Sequence, residues 1–184
     1  MSLLPTSGQT VGPFFSYALQ YDDGPDLVPP HHPRAVRLSG TVYDGEGAQV
    51  PDALVEIWQP DESGAIPKVR GSLTRDGHSF TGFGRSATTR DGVYSFTTLE
   101  HGAPADRPTA PFFACIVFAR GLTDRLHTRI YLPGPDHALA ADPLLSSLPA
   151  DRRATLIAVR PSDGSLHHDI HLQGDEETVF LDFG

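Results

Sequence analysis

This sequence has a single cysteine and lacks both a long apolar run and an export signal, and each of these features excludes a class of protein. One cysteine, Cys115, occurs in 184 residues, so no disulfide can form within the chain, as is typical of a reducing compartment. No run approaches the ~20 consecutive apolar residues of a membrane-spanning helix. Residues 1–6 lack the charged region and apolar core of a secretory signal peptide. We therefore expect a cytoplasmic protein without a membrane span.

Basic side chains are also in short supply, with 14 Lys and Arg against 23 Asp and Glu and a net charge of −9. A nucleic-acid-binding protein carries a basic stripe or patch. A protein that binds an anionic membrane surface carries a basic cluster. Both kinds of partner are therefore excluded by composition. A small anionic ligand is not excluded, because one well-placed cation can hold an anion on an acidic protein.

Glycine and proline, by contrast, are abundant, with 18 and 17 residues, and they interrupt the chain too often for long helices. Short runs of alternating or continuous apolar residues lie between the interruptions. Many short strands with turn-rich connections indicate an all-β, antiparallel sandwich or barrel. The predicted strands cover residues 36–44, 53–59, 93–99, 112–120, 125–132, 155–160, 166–172 and 178–183.

The predicted strands are joined by loops and by one or two short helices. Residues 60–90 show no long periodic stretch and are predicted to be a long connection, in which the glycine-rich residues 82–85 form a plain turn. Residues 142–148 predict one short helix. Residues 149–153 predict the start of another, with Pro149 in its first turn.

The N-terminal residues 1–34 are predicted to form an irregular, extended arm. They carry an aromatic patch at Phe14, Phe15 and Tyr17 but too few apolar residues for a core of their own. The patch is therefore expected to pack on this domain or on a partner chain. No internal repeat or linker divides the sequence, so residues 1–184 are predicted to form one domain with this arm.

Nine histidines raise the possibility of a metal site. On a strand, His167, Asp169 and His171 would share one face, and these three side chains are zinc or iron ligands. The alternative is the solvent face of an edge strand, which we favour because no fourth ligand is evident. The sequence therefore predicts no metal site in this chain.

Arg129 is the most informative charged residue. It lies in the middle of a predicted strand, on the same face as His127 and Tyr131. A guanidinium is a rigid fork that suits a carboxylate. A surface ion pair with Asp or Glu is the other interpretation, and it would contribute little. The pattern alone favours neither.

Seven segments, in order and with matching spacing, carry a resemblance to a known family. The segments are TSGQTVGPF at 6–14, LSGTVYDG at 38–45, VEIWQ at 55–59, FGRSATT at 83–89, FARGL at 118–122, LHTRIY at 126–131 and QGDEETVFLDF at 173–183. Through them the sequence resembles the intradiol ring-cleavage dioxygenases along nearly its whole length, in the group formed by the alpha subunits of protocatechuate 3,4-dioxygenases.

The resemblance implies a β-sandwich core that is shared by alpha and beta subunits, in a higher-order alpha–beta oligomer. The family uses Fe(III), held by two Tyr and two His of the beta subunit, with the active site at the alpha–beta interface. The substrate implied is protocatechuate, and the product is 3-carboxy-cis,cis-muconate.

The ligand positions of the catalytic chains can be compared with this sequence. Where those chains have Gly-x-Tyr, this chain has Gly64-Ala65-Ile66, and its proline-rich loop 100–111 contains no Tyr. Where they have His-x-His, this chain has Phe112-Phe113-Ala114. An aliphatic or phenyl side chain offers no lone pair to a ferric ion. The resemblance therefore implies an iron-free subunit that is inactive alone.

The resemblance also implies a role for this chain in the substrate pocket. Thr10, Gly12 and Pro13 match arm residues that line the pocket, and Arg129 matches an arginine associated with the substrate's carboxylate. Two alternatives stay open. One is an alpha subunit for another catechol, such as a sulfonated one. The other is a stand-alone β-sandwich binding module.

Overall fold

The computed structural model describes residues 10, 12, 14–69, 73, 75–104 and 109–183. In these ranges the chain forms eight strands and four one-turn helices. The strands are β1 (Ala35–Tyr43), β2 (Leu54–Trp58), β3 (Phe83–Ala87), β4 (Val93–Leu99), β5 (Phe112–Phe118), β6 (Leu126–Tyr131), β7 (Leu166–His167) and β8 (Ile170–His171). The helices are α1 (Phe14–Ala18), α2 (Asp136–Ala140), α3 (Pro143–Ser147) and α4 (Ala150–Ala154).

The strands form two sheets that pack face to face. One sheet has the order β3-β2-β5-β6 and is antiparallel throughout. In the other, β1 pairs with β4 antiparallel along one edge and with β7 and β8 in parallel along the other. The prediction of a β-sandwich is confirmed, and the second sheet is mixed where an antiparallel one was expected.

Alternation along the strands fills the space between the sheets. Along β5, Phe113, Cys115 and Val117 are buried while their neighbours are partly exposed. Complete burial of one such side chain contributes roughly 1.5–3 kcal/mol. Cys115 is therefore an apolar core residue, and burial raises the pKa of its thiol. The same core contains Leu38, Val42, Val55, Ile57, Tyr94, Phe96, Ile130, Leu166 and Ile170.

The predicted strand at 166–172 is interrupted where it crosses Gly40 of β1. A Cβ on Gly40 would coincide with the carbonyl oxygen of His168, so only glycine allows this approach. That carbonyl accepts a hydrogen bond from the hydroxyl of Tyr94 at 2.6 Å. The carboxylate of Asp169 accepts one from the Thr41 amide at 2.7 Å. The segment therefore divides into β7 and β8, on either side of the crossing.

The prediction that residues 60–90 form one long connection was wrong for residues 83–87. Residues 83–87 form β3, an edge strand paired with β2, and the predicted turn at 82–85 lies largely within it. Position 84 requires glycine because Leu27 and Phe96 pack directly against its backbone, where a Cβ would clash with them. A glycine inside a strand marks such a close approach.

The structure also differs from the expectations for two of the predicted strands and for the number of helices. Residues 155–160 and 178–183 contain isolated bridges, at Ile157, Val159 and Leu181, in place of strands. The helix at 142–148 and the second at 149–153 are confirmed as α3 and α4, whereas α1 and α2 were missed. Each helix has only one turn, which is too short for a clear apolar period. None of the helices in the described ranges is long and apolar enough to cross a membrane.

His168 links the two short strands to the loop that follows α4, and it makes stability depend on pH. Its Nε2 lies 3.0 Å from the carbonyl oxygen of Thr155, and burial lowers the pKa of the imidazole to about 4. The unfolded chain, with a pKa of about 6.5, binds more protons than the folded one between these values. Stability is therefore complete above pH ~6.5 and falls by roughly 3 kcal/mol towards pH ~4.

We expect His168→Gln, whose amide can still donate to Thr155, to flatten this pH dependence. The measurement is the free energy of unfolding in urea at neutral pH and near pH ~4.5, for wild type and variant. His137, on the exposed surface of α2, provides the matched control His137→Gln. A wild-type loss that persists undiminished in His168→Gln would contradict this assignment.

Candidate functional site

One cavity of about 220 Å³ collects residues from three strands and two loops. Its walls are mostly apolar, and its single charged side chain among the described residues is that of Arg129. The lining residues are Trp58, Gln59, Pro60, Ile66, Pro67, Pro104, Thr109, Phe112, Ala114 and Arg129.

Strand geometry places the cavity on the outer surface of the β3-β2-β5-β6 sheet. The alternation that buries Phe113 and Cys115 turns Phe112 and Ala114 outward. In the β5–β6 ladder Ala114 is the direct partner of Arg129. Because alanine is small, the space above the ladder stays open beside the long arginine side chain.

Arg129 lies against this wall with its guanidinium carbon 4.2 Å from the centre of the Phe112 ring, a cation–π contact. Its Nη1 donates to the hydroxyl of Tyr131 at 2.9 Å. Within the described ranges it forms no ion pair with a carboxylate. The interpretation of Arg129 as half of a surface ion pair is therefore not supported, and most of its donors remain available to a ligand.

A buried relay of hydrogen bonds fixes the position of Arg129. Tyr131 is fully enclosed, and its hydroxyl donates to Asp142 at 3.0 Å. Burial, partly offset by the neighbouring guanidinium, raises the pKa of Tyr131 to about 12. The tyrosine therefore stays protonated at neutral pH and can donate to Asp142 while it accepts from Arg129.

Two neutral polar residues also line the cavity. The hydroxyl oxygen of Thr109 is buried and has no hydrogen-bond partner in the described part of the chain. A buried polar atom without a partner is costly and indicates a place for a ligand or water. The amide of Gln59 is already engaged, because its Nε2 donates to the carbonyl oxygens of Pro60 and Leu99. Thr109 lines the cavity, but its hydroxyl oxygen is enclosed by protein and is not exposed to the cavity.

The residues of the cavity do not fit a ferric ion. Ile66, Phe112 and Ala114, the residues that the family resemblance matches to iron-ligand positions, all line this cavity. None of them has a lone pair to donate, and Arg129 adds a positive charge that would repel a cation. Across the described ranges, no group of three His, Cys, Asp or Glu side chains is placed to hold a metal.

The histidine cluster lies elsewhere. His167 is exposed, with its Nε2 3.2 Å from a carboxylate oxygen of Asp169, and His171 stacks on Tyr43 with ring centres 4.8 Å apart. The carboxylate of Asp169 also accepts a hydrogen bond from the backbone amide of Thr41 in β1. These side chains therefore hold the edge of the mixed sheet together.

Neither Thr10 nor Gly12, the two predicted arm residues that the structure describes, lines the cavity at Arg129. The Gly12 amide donates to the Thr10 hydroxyl at 3.2 Å, and the positive φ of 66° at Gly12 suits glycine. Pro13 lies outside the described residues. Beyond α1 the arm crosses β4, with the Leu27 amide bonded to the Thr97 carbonyl at 2.8 Å. The fold of this chain alone therefore does not bring Thr10 or Gly12 into the cavity that Arg129 lines.

The aromatic patch of the arm packs in part on the outer face of the β3-β2-β5-β6 sheet and is otherwise exposed. Phe15 packs on Phe118, with ring centres 5.1 Å apart, while Phe14 and Tyr17 are 64% and 79% exposed. Phe118 is at the far end of β5 from Phe112, which corresponds to about 20 Å along an extended strand. The arm therefore exposes an apolar surface that is separate from the cavity.

Comparison with known proteins agrees with the fold and shows the family of the chain. A family model described as Dioxygenase matches residues 11–174. The protocatechuate 3,4-dioxygenase alpha chain of Burkholderia cepacia is 38% identical, covering 98% of this chain and 98% of the relative. That of Pseudomonas putida is 37% identical, covering 100% of this chain and 99% of the relative.

A solved structure supports the fold at lower sequence identity. The dioxygenase domain of a dioxygenase–carbohydrate-binding protein fusion from Streptomyces sp. SirexAA-E has a TM-score of 0.56 and 20% identity, covering 91% of this chain and 96% of that chain. The chain therefore belongs to the intradiol ring-cleavage dioxygenase family, in the group of the protocatechuate 3,4-dioxygenase alpha chains.

Proposed function

We propose that this chain is the iron-free alpha subunit of a cytoplasmic, hetero-oligomeric protocatechuate 3,4-dioxygenase. A beta chain would hold the Fe(III), and the complex would cleave protocatechuate with O2 to 3-carboxy-cis,cis-muconate. The observation that carries the proposal is the cavity lined by Ile66, Phe112 and Ala114, none of which can bind iron. The family resemblance matches these residues to iron-ligand positions of the catalytic chains. The full-length similarity to two alpha chains supports it.

The surface of the arm supports a partner chain. Phe14 and Tyr17 of α1 expose large aromatic rings on the surface of the protein. Aromatic side chains are enriched at the centres of protein interfaces. A stand-alone binding module has no need of such a surface, so we favour an arm that contacts the beta chain in a higher-order oligomer.

Four residues of this chain are proposed to complete the substrate pocket. Arg129 would hold the carboxylate of protocatechuate and orient the ring, because a guanidinium fork binds a carboxylate through two parallel hydrogen bonds. Thr10, Gly12 and Pro13 of the arm would line the same pocket where this chain meets the beta chain. Gly12 permits close approach of backbone to the ring, and Pro13 stiffens the arm.

Reconstitution tests the proposal. We expect the purified chain to bind no iron and to show no oxygen uptake with protocatechuate. Mixed with its beta chain in equal amounts, it should form a stable complex that consumes oxygen and accumulates the carboxymuconate. Oxygen uptake, product chromatography and iron analysis of each fraction are the measurements.

The outcomes separate the proposal from its alternatives. Turnover of a sulfonated catechol in preference to protocatechuate would assign the chain to a different dioxygenase. A monomer that never associates with a beta chain would point to a binding module. Stoichiometric iron in the chain alone would contradict the iron-free assignment.

A further inference from the structure

The N-terminal arm is attached to the sheet on both sides of α1. Near the start of the helix, Phe15 packs on Phe118 of β5, with ring centres 5.1 Å apart. Directly after its end, the carbonyl oxygen of Leu19 accepts a hydrogen bond from Nη1 of Arg85 in β3 at 2.5 Å. Both contacts lie on the outer face of the β3-β2-β5-β6 sheet, because Phe118 and Arg85 alternate with buried residues of their strands. Two points on one face therefore define the orientation of α1.

A buried carboxylate orients the side chain of Arg85. Glu56 is its direct partner in the β2–β3 ladder, and Nε and Nη2 of Arg85 lie 2.7 and 2.6 Å from Oε1 of Glu56. The two side chains are only 15% and 10% exposed. Because the guanidinium is a rigid planar fork, engagement of these two donors directs Nη1 towards the arm. A buried ion pair contributes little more stability than an apolar pair of similar volume, so its geometry at Leu19 is its more informative feature.

The guanidinium of Arg85 also supports the arm residue Tyr21. Its carbon lies 5.6 Å from the centre of the Tyr21 ring, a cation–π contact, and the same ring stacks on Phe83 with centres 6.4 Å apart. Further along the arm, the Gly24 carbonyl accepts hydrogen bonds from the backbone amide of Arg85 at 3.0 Å and from Nη2 of Arg75 at 3.1 Å. Loss of the Arg85 side chain should therefore release α1 and leave the arm from Gly24 onwards in place.

We propose that Arg85, oriented by Glu56, is a positioning residue for the arm. It fixes the end of α1 on the sheet, and Thr10 and Gly12 lie in the short stretch of chain directly before that helix. The inference rests on the proposed function, in which those arm residues line the substrate pocket where the two chains meet. Arg85 touches neither the substrate nor the iron and acts through the arm.

Two variants remove this anchor without leaving a buried charge unpaired. Arg85→Lys keeps a positive charge for Glu56 but lacks the fork that also reaches Leu19. The double variant Glu56→Leu with Arg85→Met replaces the ion pair with apolar side chains, an exchange that often preserves stability. In the full chain alone, chymotrypsin should cleave after Tyr17 and Leu19 roughly 5- to 10-fold faster in both variants, because the charged hydrogen bond no longer closes this segment. Mass spectrometry identifies the cleavage sites.

Steady-state oxygen uptake by the assembled enzyme separates a positioning role from a merely structural one. Both variants should raise KM for protocatechuate about 10-fold with little change in kcat, because the arm lines the pocket while the iron lies in the beta chain. A merely structural role would lower the urea midpoint of the chain and leave the KM of the folded complex unchanged. Arg160→Gln, which removes the exposed ion pair of Arg160 with Glu100, is the matched control and should alter neither cleavage nor KM.

Two results would overturn the proposal. One is unchanged cleavage after Tyr17 and Leu19 in both variants. The other is an active wild-type complex whose KM both variants reproduce, which would reject the positioning role and leave the alpha-subunit function standing. An inactive wild-type mixture with a beta chain would refute the proposed function itself, and the positioning role with it.

Discussion

Replacing Arg129 with alanine is expected to raise KM for protocatechuate roughly 10- to 100-fold in the assembled enzyme, with a much smaller change in kcat. The carboxylate is remote from the reacting edge of the ring, so its contact with Arg129 is made equally in the bound substrate and in the transition state. Loss of such uniform binding appears in KM. Within the described ranges Arg129 has no carboxylate partner of its own, which leaves it available to the substrate.

Two control variants make the measurement specific. Arg129→Lys keeps the charge but loses the planar fork, so KM should take an intermediate value. Arg90→Gln removes a charge from an exposed turn and should leave KM unchanged. Steady-state oxygen uptake on complexes of equal iron content gives both constants. An unchanged KM in Arg129→Ala would remove this residue from the substrate pocket.

Asp142→Ala is expected to destabilise the chain by about 3–7 kcal/mol, the largest effect on stability that we expect from a single polar residue. Asp142 is completely buried and accepts hydrogen bonds from Tyr131 and from three backbone amides, those of Ala110, Leu144 and Leu145. The helix cap contributes ~1 kcal/mol. The tyrosine hydroxyl and the Ala110 amide, each left buried without a partner, add ~1–3 kcal/mol apiece.

Urea unfolding of the full chain measures this effect. Asp142→Asn retains one carbonyl acceptor and should lose less stability than alanine. Asp136→Ala changes an exposed carboxylate at the start of α2 and should alter the free energy of unfolding by less than ~0.5 kcal/mol. If Asp142→Ala lies within ~1 kcal/mol of wild type, the buried relay from Arg129 to Asp142 does not have the importance assigned to it.

The sequence predicted β1, β2, β4, β5 and β6 well. Turns precede and follow these strands in the chain, and their apolar residues alternate or run continuously. The edge strand β3 was missed because Gly82, Gly84 and Arg85 give it a loop-like composition. Its glycine is required by contacts from Leu27 and Phe96, which are distant in sequence. The interruption between β7 and β8 likewise depends on the close approach of His168 to Gly40 of β1. The two residues are distant in sequence, so no local pattern predicts this contact.

The site was predicted in part. Arg129 could be selected because a charge in the middle of an alternating strand is unusual, and the missing iron ligands could be read from the family resemblance. The cavity itself could not, because Trp58, Thr109 and Phe112 become neighbours only through tertiary packing. A buried hydroxyl such as that of Thr109 has no signature in sequence. The contribution of Thr10, Gly12 and Pro13 depends on a partner chain and stays a prediction.

Anomalous X-ray scattering at the iron absorption edge, from crystals of the assembled alpha–beta complex, tests the central claim most directly. The account expects one iron peak for each alpha–beta pair, located within the beta chain. No peak should occur in the cavity lined by Ile66, Phe112, Ala114 and Arg129. An iron peak inside that cavity would contradict the assignment of this chain as the iron-free subunit.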